Sequence, residues 1–219
     1  SLLGKVALVN GAGSGIGKAT ALLFARAGAR VGALSRLLKD AEATAVEIRR
    51  EGGQAIGLGA DVTHGARLRQ AMARMKAKWG RLDLLVANAG INGTWAPLDK
   101  IGDGDWQQTL DTNLKGTFLT VKYALPLLKR RGGAVVVVAS INGTRIFSNS
   151  GATAYSASKA GQVAFARMIA LELARDRIRV NTVCPGAIDT RIEENTERRG
   201  LAAIKPKVIF PEGTVPLTK

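Results

Sequence analysis

A short apolar run, Val6 to Asn10, leads straight into Asn10-Gly-Ala-Gly-Ser-Gly-Ile-Gly17, and an amphipathic helical pattern follows from Gly15 to Ala27. A strand that turns into a helix through so many glycines needs that helix packed closely against the strand's own sheet. The same alternation continues along the chain. Strand-like runs are read at Arg30–Leu34, Ala55–Ala60, Leu82–Ala87, Ala134–Ala139 and Arg179–Cys184. Helical patterns lie between them at Asp40–Glu51, Ala66–Trp79, Trp106–Arg131 (with a break expected at Pro126) and Ala154–Arg175. Six strands joined by helices predict an α/β fold, a doubly wound parallel sheet with helices on both faces, because right-handed crossovers place helices on either side. Residues 1–219 read as a single domain, with no internal repeat. After Pro185 the rhythm stops: residues 187–219 are polar and carry Pro206, Pro211 and Pro216, which suggests a lid or substrate-binding loop.

Bulk properties narrow the function classes. Hydrophobic residues make up 46% of the chain, enough for a sizeable core, yet runs such as Ala134–Ala139 are too short to cross a membrane. No charged start followed by an apolar stretch marks a secretory leader, and the Ser at position 1 leaves room for residues upstream. The single cysteine, Cys184, excludes an internal disulfide and reads as a small buried residue. These features point to the cytoplasm. The net charge of +15 could serve an acidic partner, but the basic residues are scattered along helices with few aromatics between them, so a solvated surface is the reading and nucleic acid is not expected. The densest basic cluster is Lys129-Arg-Arg131 with Arg175, Arg177 and Arg179. His64, the only histidine, reads as a surface or capping residue, and no Cys/His/carboxylate cluster suggests a metal site.

The glycine turn is read as a phosphate cradle. Gly11 permits the tight turn, Gly15 and Gly17 allow close backbone approach, and the helix N-terminus offers free N–H groups to a pyrophosphate. The spacing is G-x-x-x-G-x-G rather than the commoner G-x-G-x-x-G. The second strand ends Ala33-Leu-Ser35-Arg36, with no acid to bind ribose hydroxyls. A hydroxyl and a guanidinium suit the 2′-phosphate of NADP(H), with NAD(H) the alternative. Asp61-Val62 after the third strand could reach the adenine, or Asp61 could only cap the next turn.

A second constellation opens the last long helix. Tyr155 and Lys159 stand four residues apart, on one helix face. A fixed ammonium beside a phenol favours the phenolate, so Tyr155 is expected to have a lowered pKa and to exchange protons with a carbonyl or alcohol.

With these residues in view, the chain resembles the short-chain dehydrogenase/reductase family over residues 3–190. The matching motifs are the Gly11–Gly17 turn, Asn88-Ala-Gly90, Asn113 within Asp111-Thr-Asn-Leu-Lys-Gly116, Tyr155-x-x-x-Lys159 and Pro185-Gly186. The resemblance implies a Rossmann fold, a nicotinamide cofactor and hydride transfer between it and a carbonyl or secondary alcohol. It implies Tyr155 as acid/base, Lys159 holding the nicotinamide ribose, and Asn113 positioning a water. It assigns the remaining cofactor contacts to Ser14, Ile16, Asn88, Ala89, Gly90, Pro185, Gly186, Ile188 and Thr190. The substrate-oxygen serine is matched by Ser140 in Ser140-Ile-Asn-Gly143; it lies 15 positions before Tyr155 instead of the commoner 13, which leaves Asn142 as the alternative. Asn10 stands where the family has threonine and is expected to make local turn hydrogen bonds; Ala87 stands where it has asparagine. The family continues with a last helix and a seventh strand that are not recognisable before Lys219, so the chain is expected to be a shortened copy of a longer protein.

The resemblance also implies a homo-oligomer, a tetramer or dimer, built on the two long helices, with Ala157, Ala160, Gly161 and Ala164 allowing close packing. Among substrates, 3-oxoacyl groups on an acidic acyl carrier protein are the sharpest alternative, since Lys129–Arg131 and Arg175–Arg179 could dock one; basic helix ends also simply complement the helix dipole. Pocket-shaping residues are placed at Thr94–Trp95, Thr144–Ser150 and 187–219. A non-catalytic nucleotide sensor on the same fold is the reading from a different class.

Overall fold

The structure, a computed structural model, describes residues 1–145 and 149–204. Strands β1 (Val6–Asn10), β2 (Arg30–Ser35), β3 (Gln54–Gly59), β4 (Leu84–Ala87), β6 (Gly133–Val138) and β7 (Ile178–Val183) form one sheet in the order β3-β2-β1-β4-β6-β7. Every pairing in it is parallel. Helices α1 (Gly15–Arg26), α2 (Leu38–Arg50), α3 (Gly65–Trp79), α5 (Gly116–Leu128) and α6 (Thr153–Leu173) provide the crossovers. The strand order reverses between β1 and β4, where a ligand crevice opens at the carboxyl ends of the strands.

Alternation along β1 divides the core into two. Val6 and Leu8 face a cluster with Leu68, Met75 and Leu128 on one side, while Ala7 and Val9 face Ala21, Ala45 and Ile48 on the other. Strands sandwiched in this way are buried on both faces, which is why they read as continuous apolar runs. Each fully buried Leu or Ile here contributes ~1.5–3 kcal/mol.

The expected long helix at Trp106–Arg131 is corrected in two respects. It starts earlier, as α4 (Asp103–Leu110), and its interruption falls at Asp111–Lys115, a π-helical turn in which the Gly116 N–H reaches back to the Asp111 carbonyl. Pro126 lies inside α5 without ending it; the helix stops at Leu128, so the bond that proline cannot donate is missed only in the last turn.

The stretch after Pro185 is also more ordered than its composition suggests. A short strand β8 (Thr196–Arg198) pairs in parallel with β5 (Gly93–Trp95). Asn92 Nδ2 donates to Thr196 Oγ1 at 2.7 Å, Arg199 pairs with Asp105 at 2.7 Å, and the Arg198 guanidinium lies 5.4 Å from the Trp95 ring centre. The arm 187–204 is thereby fastened to the loop after β4, while Pro206, Pro211 and Pro216 lie outside the described residues. Among the described residues no helix is long and apolar enough to cross a membrane.

Candidate active site

The glycine turn joins β1 to α1 with left-handed backbone at Gly11 (φ +65°) and Gly15 (φ +52°). A Cβ on Gly11 would stand 2.6 Å from Asn88 Nδ2, and one on Gly17 would strike the Gly11 carbonyl, so the cradle closes only around bare backbone. The Ser14 side chain does not cap α1, which leaves the first-turn N–H groups of Gly15, Ile16 and Gly17 for an external acceptor. This donor set and its glycine floor fit the pyrophosphate of a dinucleotide.

Asn10 behaves differently from the sequence expectation. Its side chain makes long-range bonds rather than local turn bonds. Oδ1 accepts the Asn88 N–H at 2.6 Å and the Ala89 N–H at 2.7 Å, and Nδ2 donates to Thr120 Oγ1 at 3.0 Å. Asn88 Nδ2 returns a bond to the Asn10 carbonyl at 3.1 Å. One amide thus ties the glycine turn to the Asn88-Ala-Gly90 loop and to α5.

The other half of the site is built by α6. Its buried face carries Tyr155, Ser158, Lys159 and Gln162 at helical spacing. Lys159 Nζ donates to the Val138 carbonyl at 3.0 Å and lies 5.7 Å from the Tyr155 ring centre. Asn113, in the π turn, is wholly buried. Its Oδ1 accepts the Ile91 N–H at 2.8 Å, and its Nδ2 donates to the Ile91 carbonyl and to Ser158 Oγ, each at 2.9 Å. Both amide hydrogens of Asn113 are therefore engaged within the protein. Gly90, next to Ile91, faces the lysine: a Cβ there would be 3.4 Å from Lys159 Nζ.

Ser140 follows β6 and begins a tight turn in which its Oγ accepts the Asn142 N–H at 3.2 Å. Gly143 lets this turn press on α6, since a Cβ would stand 2.6 Å from Ala160 N. Of the two candidates, it is the Ser140 hydroxyl that acts on the Tyr155 phenol, favouring its ionised form; Asn142 is buried and donates its backbone N–H to Ser140 Oγ.

Burial sets the electrostatics. Desolvation pushes the Tyr155 phenol up, and the Ser140 hydroxyl opposes it. The expected lowering by Lys159 is thus not met in the chain alone, because the phenol's own burial is the largest influence on it. Burial also lowers the Lys159 amine, to about 8, with a smaller opposing influence from Cys184.

Beyond β2 and β3 stand the remaining residues expected to meet a nucleotide. Ser35 packs on the glycine turn, where a Cβ on Gly13 would be 2.9 Å from Ser35 Oγ. Arg36 is exposed. Partial burial pushes the Asp61 carboxyl up, but hydrogen bonds from Thr63 and the neighbouring His64 and Arg36 outweigh it and hold the group below its ordinary range. Asp61 does cap its turn, accepting the Thr63 N–H at 2.9 Å, and Val62 is buried against Gly116. His64 is a surface residue. Pro185 accepts the Ile141 N–H at 3.0 Å, Gly186 lies beside Ile141, Ile188 is exposed, and Thr190 packs over Gly15. Among the described residues no group of three or more His, Cys, Asp or Glu could hold a metal ion.

Sequence reasoning missed Ser158, Thr117, Thr120 and Gln162. The first and last share the Tyr155/Lys159 helix face, a signal that spacing alone offered. Thr117 and Thr120 gave none, because the side chains that donate to them, Gln162 and Asn10, are distant in the chain.

The geometry agrees with what comparison finds. The profile of the short-chain dehydrogenase family matches residues 5–200. A 3-oxoacyl-[acyl-carrier-protein] reductase of Thermotoga maritima is 40% identical over 201 residues, 88% of this chain and 78% of that protein. The crystal structure of a 3-ketoacyl-ACP reductase from Sinorhizobium meliloti superposes with TM-score 0.89 at 51% identity, covering 95% of this chain and 82% of that one. A second, from Brucella melitensis and complexed with NADH, gives TM-score 0.83 at 32% identity over 90% and 81%. A shared family profile, identity at this level and the same doubly wound sheet together establish that the chain belongs to the short-chain dehydrogenase family, oxidoreductases acting on CH–OH groups.

Proposed function

We propose that this chain exchanges a hydride between NADP(H) and a carbonyl or secondary-alcohol carbon, with Tyr155 as general acid/base. One observation carries the reading: a single face of α6 brings the Tyr155 phenol, beside the Ser140 hydroxyl, together with the buried Lys159 amine. The nicotinamide group, when bound, supplies or takes up the hydride. Ser140 holds the substrate oxygen, and Tyr155 gives that oxygen its proton or removes it. Lys159, when protonated, favours the phenolate and offsets the burial that raises Tyr155. Gly11, Gly15 and Gly17 leave room for the pyrophosphate at the α1 N-terminus, and Asn113 braces the Gly90–Ile91 wall. Cofactor contacts are assigned also to Ser14, Ile16, Ser35, Asp61, Val62, Asn88, Ala89, Pro185, Gly186, Ile188 and Thr190.

NADP(H) is chosen because β2 ends in Ser35-Arg36 without a carboxylate, and the Arg36 guanidinium is exposed for a 2′-phosphate. The test is a fluorescence titration with NADPH and NADH in parallel. Tighter NADPH binding supports the assignment, equal or tighter NADH binding refutes it, and binding of neither refutes the enzyme.

For the substrate, we favour a 3-oxoacyl thioester. The three reductases named above support it, as does the basic edge where α5 and α6 end. There Lys129 is tied to Asp176 at 2.9 Å, while Arg131, Arg175, Arg177 and Arg179 are exposed to an acidic carrier protein. Reduction of acetoacetyl coenzyme A with NADPH tests the thioester chemistry. A cytoplasmic homo-oligomer fits an exposed α6 stripe of Ala157, Ala160, Ala164, Met168 and Leu171. Gly161 instead packs on Leu114 of its own chain.

A further inference from the structure

Burying a primary amide is unfavourable unless its hydrogen-bonding groups are met. Gln162 is completely buried, three residues after Lys159 and seven after Tyr155 on the same face of α6. Its Nε2 donates to the Asn113 carbonyl at 2.8 Å and to Thr117 Oγ1 at 2.6 Å. Thr117 Oγ1 donates in turn to the same carbonyl at 2.7 Å. Its Oε1 is buried without a partner among the described residues. A leucine or methionine would fill this space without an unmet acceptor, so the amide's contribution lies in its two donors.

Those donors act on a defined point. Asn113 sits in the π turn, where the regular i to i+4 ladder is broken and backbone position depends on side-chain partners. Its side chain clamps Ile91 from both N–H and carbonyl, and the adjoining Gly90 lines the space beside Lys159 Nζ. The contacts close a ring that runs from Gln162 through Asn113, Ile91 and Gly90 to Lys159, one turn from Gln162 on α6. Around the amine stand the Tyr155 ring, the Val138 carbonyl and Cys184.

We infer that Gln162 is a positioning residue: its two amide donors fix the Asn113 carbonyl and, through the Asn113–Ile91 clamp, hold the Gly90 wall against the Lys159 amine. The inference rests on Lys159 being part of the reacting site, as proposed above.

The test compares Gln162→Met with the wild-type full-length protein. Without added nucleotide, the Lys159 amine is titrated by NMR of 13C-labelled lysine. With NADPH and acetoacetyl coenzyme A, kcat and KM are measured. Loosening the wall admits water, so the Lys159 midpoint should rise from about 8 toward the ordinary lysine value of 10.5. kcat should fall on the order of tenfold, as small misplacements do in a positioned site, with the KM for NADPH little changed. An unmoved midpoint with wild-type kcat overturns the inference. If Gln162→Met does not fold, Thr117→Val decides, since it removes one donor to the same carbonyl and the second acceptor of Gln162; the same shifts support the inference, and wild-type values overturn it. Tyr155→Phe is run alongside. Should it keep the full rate, the acid/base reading fails, and the Lys159 titration still decides the role of Gln162.

Discussion

Replacing Lys159 by methionine should make the protein more stable at pH 7 while ending catalysis. Lys159 is 3% exposed, and burial lowers its amine to about 8 from an ordinary 10.5. A gap of that size corresponds to ~3 kcal/mol of preference for the neutral form. The sign follows from proton binding. Between these two values the unfolded chain holds the proton and the folded chain does not. Below pH 8 the buried charge therefore destabilises the fold in full; the penalty fades as pH rises from 8 to 10.5 and is gone above it. Methionine removes the penalty but also the bond to the Val138 carbonyl, a loss of about 1 kcal/mol. The net expectation is a gain of ~2 kcal/mol at pH 7 that shrinks to near zero by pH 10. Urea unfolding of both proteins at the two pH values measures it, because other groups that titrate in this range are common to both and cancel. A variant less stable than wild type at pH 7, or a difference that does not change with pH, would refute the reasoning. The amine is then kept for chemistry at the expense of stability.

Two further outcomes are expected. Asn10→Ala leaves the Asn88 and Ala89 N–H groups without their acceptor and should cost about 3 kcal/mol, or ~6–12 °C in Tm for a domain of this size; a loss under ~1 kcal/mol by thermal unfolding would contradict the bracing role. Arg36→Ala should weaken NADPH binding at least ~tenfold and leave NADH binding unchanged, since a charge-assisted bond to phosphate is worth ~1.5–3 kcal/mol; equal losses for both nucleotides would remove Arg36 from the phosphate.

Much of this was readable in the sequence because it is local. Strands β1, β2, β4 and β6 announce themselves as apolar runs, since they are buried on both faces, whereas β7 at the sheet edge alternates between covered and exposed residues. The glycine turn and the Tyr155/Lys159 pair are set by spacing within one element. What escaped depends on partners far along the chain. Asn10 looked like a turn residue, yet it bonds Thr120 and Asn88. The π turn at Asp111–Lys115 carries no proline or glycine to mark it, and Pro126 drew attention to a place where nothing breaks. Strand β8 is three polar residues whose pairing with Gly93–Trp95 depends on Asn92, Asp105 and Trp95 rather than on its own pattern. The acidity of Tyr155 was misjudged for a related reason: spacing shows that a lysine is near, but not that both groups are desolvated.

The central claim is that Tyr155 moves the proton at the substrate oxygen. The most direct test is the turnover of Tyr155→Phe with NADPH and acetoacetyl coenzyme A, with NADPH binding measured on the same sample. Turnover reduced by ~10²-fold or more, with affinity for NADPH nearly unchanged, is the expected result. Wild-type turnover by a variant lacking only the phenolic oxygen would contradict the account.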